Sequence, residues 1–192
     1  MTYMRTFFGT KIIALVFLLV LLANCSAAEE SQITAPTNTY DRQAAIAADF
    51  RPVTDNYAVS PQINIADLSK IAAAGFTRVI NHRPDGEGTY QPATADLQAE
   101  AKRLGLKFVD LPFKPGQLTD EVFNALDAEL SASNEPTLAY CRSGTRAITI
   151  WAMSQVKAGK FTPKQVIDIA AKSGYRLQGQ RSALEKLVQE NR

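Results

Sequence analysis

Histidine and cysteine are scarce in this sequence of 192 residues, which contains one histidine and two cysteines. The single histidine, His82, has no cysteine or second histidine beside it to complete a zinc site, so we predict no metal, and no motif implies an organic cofactor. Neither sign of charge dominates, because 21 lysines and arginines stand against 19 acidic residues. A chain so close to neutral lacks the basic surface of a nucleic-acid-binding protein, and we expect no such partner.

Long apolar runs are also lacking, except for one of 12 residues at positions 12–23 that follows two basic residues. A membrane-spanning helix needs about 20 apolar residues, whereas the apolar part of a secretion signal needs about 7 to 15. We therefore predict a cleaved export signal over residues 1–28 and a periplasmic protein. The alternative is a lipoprotein signal, in which an acylated Cys25 would anchor the protein to a membrane.

The shortage of cysteine limits the chemistry of the folded part, because cleavage of the signal leaves Cys141 as its only thiol. An intramolecular disulfide is then excluded. An exported protein with one unpaired cysteine carries either an inert, buried thiol or a reactive one, and the surroundings of Cys141 decide between the two.

Residues 29–54 are rich in serine, threonine, glutamine, asparagine and alanine and show no strong apolar period. This composition predicts a flexible arm, with at most a short helix over 41–50. We expect the folded domain to occupy residues 55–192. The sequence shows no internal repeat, so a single globular unit accounts for that length.

From residue 55 onward, short strand-like runs alternate with amphipathic helices, which is the pattern of an α/β protein. Strands are predicted at residues 57–60, 76–81, 106–111 and 136–140. Helices are predicted at residues 64–74, 93–104 and 147–157, with a further one after Thr119. Two capping boxes, which begin at Thr162 and Ser182, predict two additional helices at the C-terminus.

We call the segment Cys141-Arg-Ser-Gly-Thr-Arg146, between a predicted strand and a predicted helix, the cysteine loop. The positive end of a helix dipole and nearby guanidinium groups stabilise a thiolate, so we interpret Cys141 as a nucleophile. Backbone N–H groups and the fork of Arg146 are suited to hold an oxyanion. The candidate anion-binding residues are Arg142, Ser143, Gly144, Thr145 and Arg146. The alternative interpretation is a buried core cysteine with exposed arginines.

Several further motifs accompany the cysteine loop: Ser60-Pro-Gln62, Gly75-Phe76, Val79-Ile-Asn-His-Arg-Pro-Asp-Gly-Glu87 and Leu111-Pro112. Through them, residues 57–175 resemble the β-lactamase-hydrolase-like, phosphatase-like domain family. The resemblance implies a fold similar to the tyrosine and dual-specificity phosphatases, which is a central, mostly parallel sheet flanked by helices, here with extra C-terminal helices. It also implies that Cys141 is the nucleophile and Arg146 the anion-binding residue. Some members are named as sulfurtransferases.

The sequence departs from the tyrosine phosphatases in two respects. Those enzymes use Cys-x5-Arg, whereas four residues separate Cys141 from Arg146, a spacing that resembles the active loop of rhodanese. Similar phosphatases also carry an aspartate in the loop that corresponds to residues 112–118, and this loop has none. We expect Asp85, or alternatively Glu87, to protonate the leaving group instead.

Three hypotheses follow for a protein that acts on a small anionic substrate. The first is a phosphatase-like hydrolase in which Cys141 attacks a phosphate ester held by the cysteine loop. The second is a sulfurtransferase that takes a sulfane sulfur as a persulfide on Cys141. The third is a non-enzymatic module that binds anions or senses oxidants through the same thiol.

Overall fold

The computed structural model of the protein describes residues 38–190. The export signal predicted for residues 1–28 and the alternative lipid attachment at Cys25 lie outside the described residues and stay predictions. Within residues 38–190, no helix is both long and apolar enough to cross a membrane.

The described chain forms a five-stranded sheet in the order β1-β2-β5-β3-β4. The strands are β1 (Arg51–Pro52), β2 (Tyr57–Ser60), β3 (Arg78–Asn81), β4 (Lys107–Asp110) and β5 (Thr137–Tyr140). Neighbouring strands are parallel, except that β1 pairs antiparallel with β2. The predicted α/β fold with a central, mostly parallel sheet is therefore confirmed.

Helices connect the strands and cover both faces of the sheet. They are α1 (Arg42–Ala47), α2 (Ile65–Ala73), α3 (Thr94–Arg103), α4 (Asp120–Ala132), α5 (Thr145–Lys157), α6 (Pro163–Lys172) and α7 (Arg181–Glu190). A short 3-10 helix, Gln178–Gln180, precedes α7. The extra C-terminal helices are present as predicted.

Short polar side chains start three of these helices where the sequence predicts. Asn64 and Thr162 each form a full capping box, and the Thr119 hydroxyl accepts the N–H of Val122 at 3.3 Å. The capping box predicted at Ser182 is wrong, because α7 already begins at Arg181 and Ser182 lies inside its first turn. The preceding 3-10 helix leads directly into α7, so this helix has no separate capping residue at position 182.

The folded part begins earlier than the predicted boundary at residue 55. Within the segment predicted as a flexible arm, α1 and β1 are already formed, and Tyr40 and Phe50 are buried. The Tyr40 ring stacks on Phe76 with ring centroids 4.3 Å apart. Burying one large apolar side chain stabilises the fold by roughly 1.5–3 kcal/mol, and two aromatic residues are buried here. The mostly polar composition of residues 29–54 gave no indication of these two buried side chains.

Each face of the sheet packs against its own hydrophobic core. Side chains alternate between faces along a strand, so neighbouring residues enter different cores. One core, beneath α4 to α7, includes Val59, Ile80, Ala139, Ile148 and Trp151. The other, beneath α1 to α3, includes Ala58, Val79, Leu138, Leu68 and Leu97.

The carboxyl ends of β3, β4 and β5 lie side by side at one edge of the sheet. In register, Asn81 pairs with both Asp110 and Tyr140, and the N–H of His82 continues the ladder by donating to the Tyr140 carbonyl at 2.9 Å. The loops after these three strands therefore start next to one another, which is where α/β sheets bind ligands.

Candidate functional site

Cys141 lies immediately after β5, and α5 begins four residues later at Thr145. The residue is 1% exposed, and its Sγ accepts the backbone N–H of Gly144 at 3.2 Å. The sulfur therefore faces the N-terminal end of α5, where unpaired N–H groups and the helix dipole favour negative charge. The thiol is buried, but its hydrogen bond to the helix start distinguishes it from a core cysteine surrounded by apolar groups.

Gly144 gives the cysteine loop its shape. Its φ of 86° is in the left-handed region, and the residue occupies the N-cap position of α5. A Cβ at this position would overlap the hydroxyl of Tyr175. The same hydroxyl donates to the carbonyl of Ser143 at 3.3 Å. Tyr175, which follows α6 in the chain, thus contacts the cysteine loop and supports it.

Arg146 is fixed by three hydrogen bonds that it donates to the loops after β3 and β4. Its Nη1 donates to the carbonyls of His82, at 3.1 Å, and Phe113, at 2.6 Å, while its Nη2 donates to Oε2 of Glu87 at 2.6 Å. α5 begins two residues before the predicted start at 147, so Arg146 lies in the first turn of that helix. The guanidinium is therefore held beside the loop that carries Cys141.

Glu87 is shared between two arginines. Its Oε2 also accepts the Nε–H of Arg83 at 3.0 Å, and Arg83 in turn donates to Oε1 of Gln62 at 2.7 Å. Partial burial acts to raise the pKa of Glu87, but hydrogen bonds and charges from Arg146 and Arg83 outweigh it and lower the pKa below its ordinary value. The carboxylate is ionised at neutral pH and braces both guanidinium groups.

His82 is fully buried between the ends of β3 and β4. Its Nδ1 lies 3.0 Å from the carbonyl of Leu111, which can only accept, so Nδ1 carries the proton. Among the described residues, Nε2 has no hydrogen-bond partner. Burial lowers the pKa of His82 to about 4. The hydrogen bond to Leu111 acts to raise the pKa, and the charge of Arg146 makes a smaller contribution that lowers it. The imidazole is neutral at physiological pH.

Asp85, the expected proton donor, binds the start of α3. Its Oδ1 accepts the backbone N–H of Thr94 at 3.0 Å and the Thr94 hydroxyl at 2.8 Å. A carboxylate at a helix N-terminus satisfies an unpaired N–H and interacts favourably with the dipole. Ala93, the residue before the helix, supplies no such side-chain cap. The structure therefore gives Asp85 a capping role, and the role of proton donor expected for it stays a prediction.

The remaining residues of the cysteine loop lie at the surface. Arg142, Ser143 and Thr145 are exposed, and the two hydroxyls are 3.2 Å apart. The carbonyl of Arg142 accepts the N–H of Gln62 at 3.4 Å, which ties the loop to the segment after β2. The predicted anion-binding residues 142–146 thus follow Cys141 in one loop, with Arg142 exposed.

A cleft of about 470 Å³ opens beside this site, between the loops that follow β3 and β4. Glu87 belongs to both the cleft and the site, and Lys114 lines the opposite side. Within residues 38–190, no group of three or more histidine, cysteine or acidic side chains is placed to hold a metal ion.

Sequence reasoning missed the structural role of Tyr175. No local pattern around it points to the cysteine loop, because the contact depends on how the turn after α6 packs. The only signal was its position at the end of the segment with family resemblance. Glu87 was identified, but as an acid, and its ion pair with Arg146 requires the fold to bring the loops after β3 and β5 together.

Comparisons with known proteins agree with this geometry. A family model described as "Beta-lactamase hydrolase-like protein, phosphatase-like domain" matches residues 49–158. Proteins named beta-lactamase hydrolase-like protein from Agrobacterium fabrum and Xylella fastidiosa are 26% and 30% identical over 125 residues. These residues make up 65% of this chain and 29% of either relative, so the chain spans less than a third of their length.

Solved structures show the same fold. A candidate phosphatase from Neisseria meningitidis is 26% identical, with a TM-score of 0.64 over 71% of this chain and 96% of its own. PTPMT1 is 14% identical, with a TM-score of 0.59 over 74% of this chain and 95% of its own. P. aeruginosa TpbA, solved with phosphotyrosine, is 12% identical, with a TM-score of 0.55 over 76% of this chain and 91% of its own. The predicted tyrosine-phosphatase-like fold is confirmed.

Proposed function

Because the chain belongs to the family of beta-lactamase hydrolase-like proteins with a phosphatase-like domain, we propose that it is a cysteine-dependent phosphatase that hydrolyses a small phosphate ester. Cys141 is the nucleophile, and the cysteine loop with Arg146 binds the phosphoryl group. The relatives are more than three times as long as the matched segment, so the proposal concerns this domain and not their whole activity.

The observation that carries the proposal is the placement of Cys141 and Arg146 at one helix start. The sulfur accepts the Gly144 N–H at the N-terminus of α5, and the guanidinium of Arg146 is held in the first turn of the same helix. A dianionic phosphoryl group bound between them would meet backbone N–H donors and a cation together. A helix start of this kind is suited to phosphate.

The reaction then takes two displacement steps. In the first, the thiolate of Cys141 forms an S–P bond while the P–O bond to the leaving group breaks, and the leaving oxygen keeps the electron pair. In the second, water attacks phosphorus, the S–P bond breaks, and the sulfur recovers its electron pair as phosphate is released. Both steps concentrate negative charge on the non-bridging oxygens, which the loop N–H groups and Arg146 stabilise.

A sulfurtransferase is the second candidate, and the length of the cysteine loop favours it. Only four residues separate Cys141 from Arg146, as in the rhodanese-like spacing. In that reaction the thiolate takes the outer sulfur of thiosulfate, sulfite leaves as an anion, and the persulfide passes its sulfur to cyanide or a thiol. The Gly144 N–H that faces Sγ would stabilise the anionic persulfide in the same way as the thiolate.

The test assays the purified protein in parallel with an aryl phosphate and with thiosulfate plus cyanide. Each assay is repeated with Cys141→Ser. Phosphate release that disappears in the variant supports the phosphatase. Thiocyanate formation without phosphate release would replace it by the sulfurtransferase, and turnover that survives in Cys141→Ser would remove Cys141 as the nucleophile in either case.

We also propose that the protein is exported to the periplasm, supported by the basic start and the apolar run at positions 12–23. Cell fractionation with mass analysis of the mature N-terminus tests this. A chain that begins near residue 29 supports a cleaved signal, a lipid-modified Cys25 supports the anchored alternative, and an intact N-terminus in the cytoplasm contradicts both.

A further inference from the structure

The oxygen that leaves phosphorus must either accept a proton or be stable as an anion. A side chain placed to donate that proton accelerates such reactions by about 10² to 10⁴-fold. Five acidic, imidazole or phenol side chains on the elements beside the cysteine loop are candidates for this role: Glu87, Asp85, Asp110, His82 and Tyr175. In each of them, a hydrogen bond within the structure already uses the proton or the accepting oxygen.

Glu87 is the acid that is bound to Arg146, the candidate anion-binding residue. Both Arg146 and Arg83 donate to its Oε2, at 2.6 and 3.0 Å. Partial burial acts to raise the pKa of Glu87, but the hydrogen bonds and charges of these two arginines outweigh it. The pKa is therefore held below its ordinary value. A carboxylate ionised in this way is an acceptor, and it has no proton to give to a leaving oxygen.

The two aspartates on the neighbouring loops are also bound as acceptors. Asp85 accepts both the N–H and the hydroxyl of Thr94 at the start of α3. Asp110, at the end of β4, accepts the side-chain amide of Asn81 at 2.7 Å. In each case the bonded Oδ1 acts as the acceptor, so each aspartate is held by its own capping or amide partner.

His82 and Tyr175 carry protons, but each proton is already donated in a hydrogen bond. The His82 Nδ1 proton goes to the Leu111 carbonyl, and the ring is fully buried. The Tyr175 hydroxyl donates to the Ser143 carbonyl at 3.3 Å. Burial raises the pKa of Tyr175, with a smaller effect of the charge on Arg51 in the opposite direction. Neither group is suited to protonate a leaving oxygen at neutral pH.

The cleft beside the site offers a positive charge to the leaving group. Lys114 lines this cleft across from Glu87 and is exposed. A positive charge at this position would favour a departing anion.

We propose that the substrate of this site is a phosphoryl donor whose leaving group departs as a stable anion, either an acyl phosphate or the phosphate ester of an acidic phenol. This inference rests on the proposed phosphatase function. In the step concerned, the S–P bond forms at Cys141, the P–O bond breaks, and the carboxylate or phenolate leaves with the electron pair and without a proton. Alkyl esters, whose alkoxides are poor leaving groups, are then excluded as substrates.

A series of aryl phosphates that differ only in the acidity of the phenol tests the inference. The series runs from nitro-substituted phenols to phenol itself, whose pKa is about 10, like that of tyrosine. We expect kcat/KM to fall by about 10² to 10⁴-fold along the series, because none of these five side chains of residues 38–190 supplies the factor that a donated proton is worth. Acetyl phosphate is expected to react at least as fast as the best aryl ester.

Asp85→Asn is the deciding variant, because asparagine keeps an oxygen that can accept the capping hydrogen bonds but has no titratable proton. We expect the same slope and the same rates in this variant. A rate that is independent of the phenol, or an Asp85→Asn variant that loses activity only on the less acidic phenols, would overturn the inference and leave the phosphatase intact. No Cys141-dependent phosphate release from any substrate, acetyl phosphate included, would instead overturn the proposed function and this inference together.

Discussion

The hydroxyl of Tyr175 occupies the space that a side chain at Gly144 would need. The two residues are distant in sequence, and Tyr175 lies beyond the segment that the family model matches. Gly144 is in the left-handed conformation, and its N–H donates to the sulfur of Cys141. The C-terminal part of the chain therefore takes part in shaping the cysteine loop.

We expect Gly144→Ala to lower the free energy of unfolding by more than backbone strain alone would. A non-glycine residue in the left-handed region costs roughly 1–2 kcal/mol, and the overlap with Tyr175 adds about 1–3 kcal/mol from overpacking. The free energy of unfolding in urea measures the sum. Gly105→Ala is the control, because Gly105 has φ 74° and a Cβ there would meet no atom within 4 Å. Equal losses in the two variants would contradict the role of the contact.

Tyr175→Phe removes one hydroxyl and keeps the ring. We expect a loss of about 0.5–1.5 kcal/mol in the free energy of unfolding, from the hydrogen bond to Ser143, and a lower kcat because the cysteine loop is less firmly held. Urea titration and initial-rate kinetics measure both. Tyr90→Phe, at a residue that is 97% exposed, is the control and should change neither. If Tyr175→Phe behaves like Tyr90→Phe, the hydroxyl does not support the loop.

His82 makes the stability of the fold depend on pH. Its pKa is about 4 in the folded protein, against an ordinary value of 6.5, so between these values the unfolded chain binds more protons. The free energy of unfolding should therefore fall as the pH drops from about 6.5 to about 4, by roughly 3 kcal/mol from this residue. His82→Asn does not titrate, and its stability should be flatter over this range. The same pH dependence in both proteins would contradict the assignment.

Arg146→Lys should impair catalysis far more than it affects folding. Lysine keeps the charge but lacks the planar fork that donates to His82, Phe113 and Glu87 together. We expect kcat to fall by about 10² to 10³-fold, which is typical when an oxyanion donor is lost. Arg103→Lys, on the exposed face of α3, is the control and should keep full activity. A variant Arg146→Lys with near-normal kcat would exclude Arg146 from the transition state.

Local signals in the sequence were sufficient for the order of elements from β2 onward and for the cysteine loop. Apolar runs such as 136–140 are strands in the structure, and short polar residues such as Asn64 cap the helices. The proximity of Cys141 to Arg146 was also predictable, because both belong to one strand-loop-helix unit. These features depend on neighbours within a few residues.

Contacts between distant segments could not be predicted in this way. Whether Asp85 faces the cysteine loop or the start of α3 depends on the path of the loop after β3, which no local pattern fixes. The ion pair of Glu87 with Arg146 and the burial of Tyr40 against Phe76 likewise depend on the packing of the whole sheet.

We expect Cys141 to become phosphorylated during turnover. The direct measurement is a rapid acid quench of the protein with acetyl phosphate or an acidic aryl phosphate, followed by mass analysis of its peptides. We predict one added phosphoryl group on the peptide that contains Cys141, at a level that decays as phosphate is released, and none in Cys141→Ser. Phosphate release without any phosphorylated cysteine, or with equal rates in Cys141→Ser, would contradict the account.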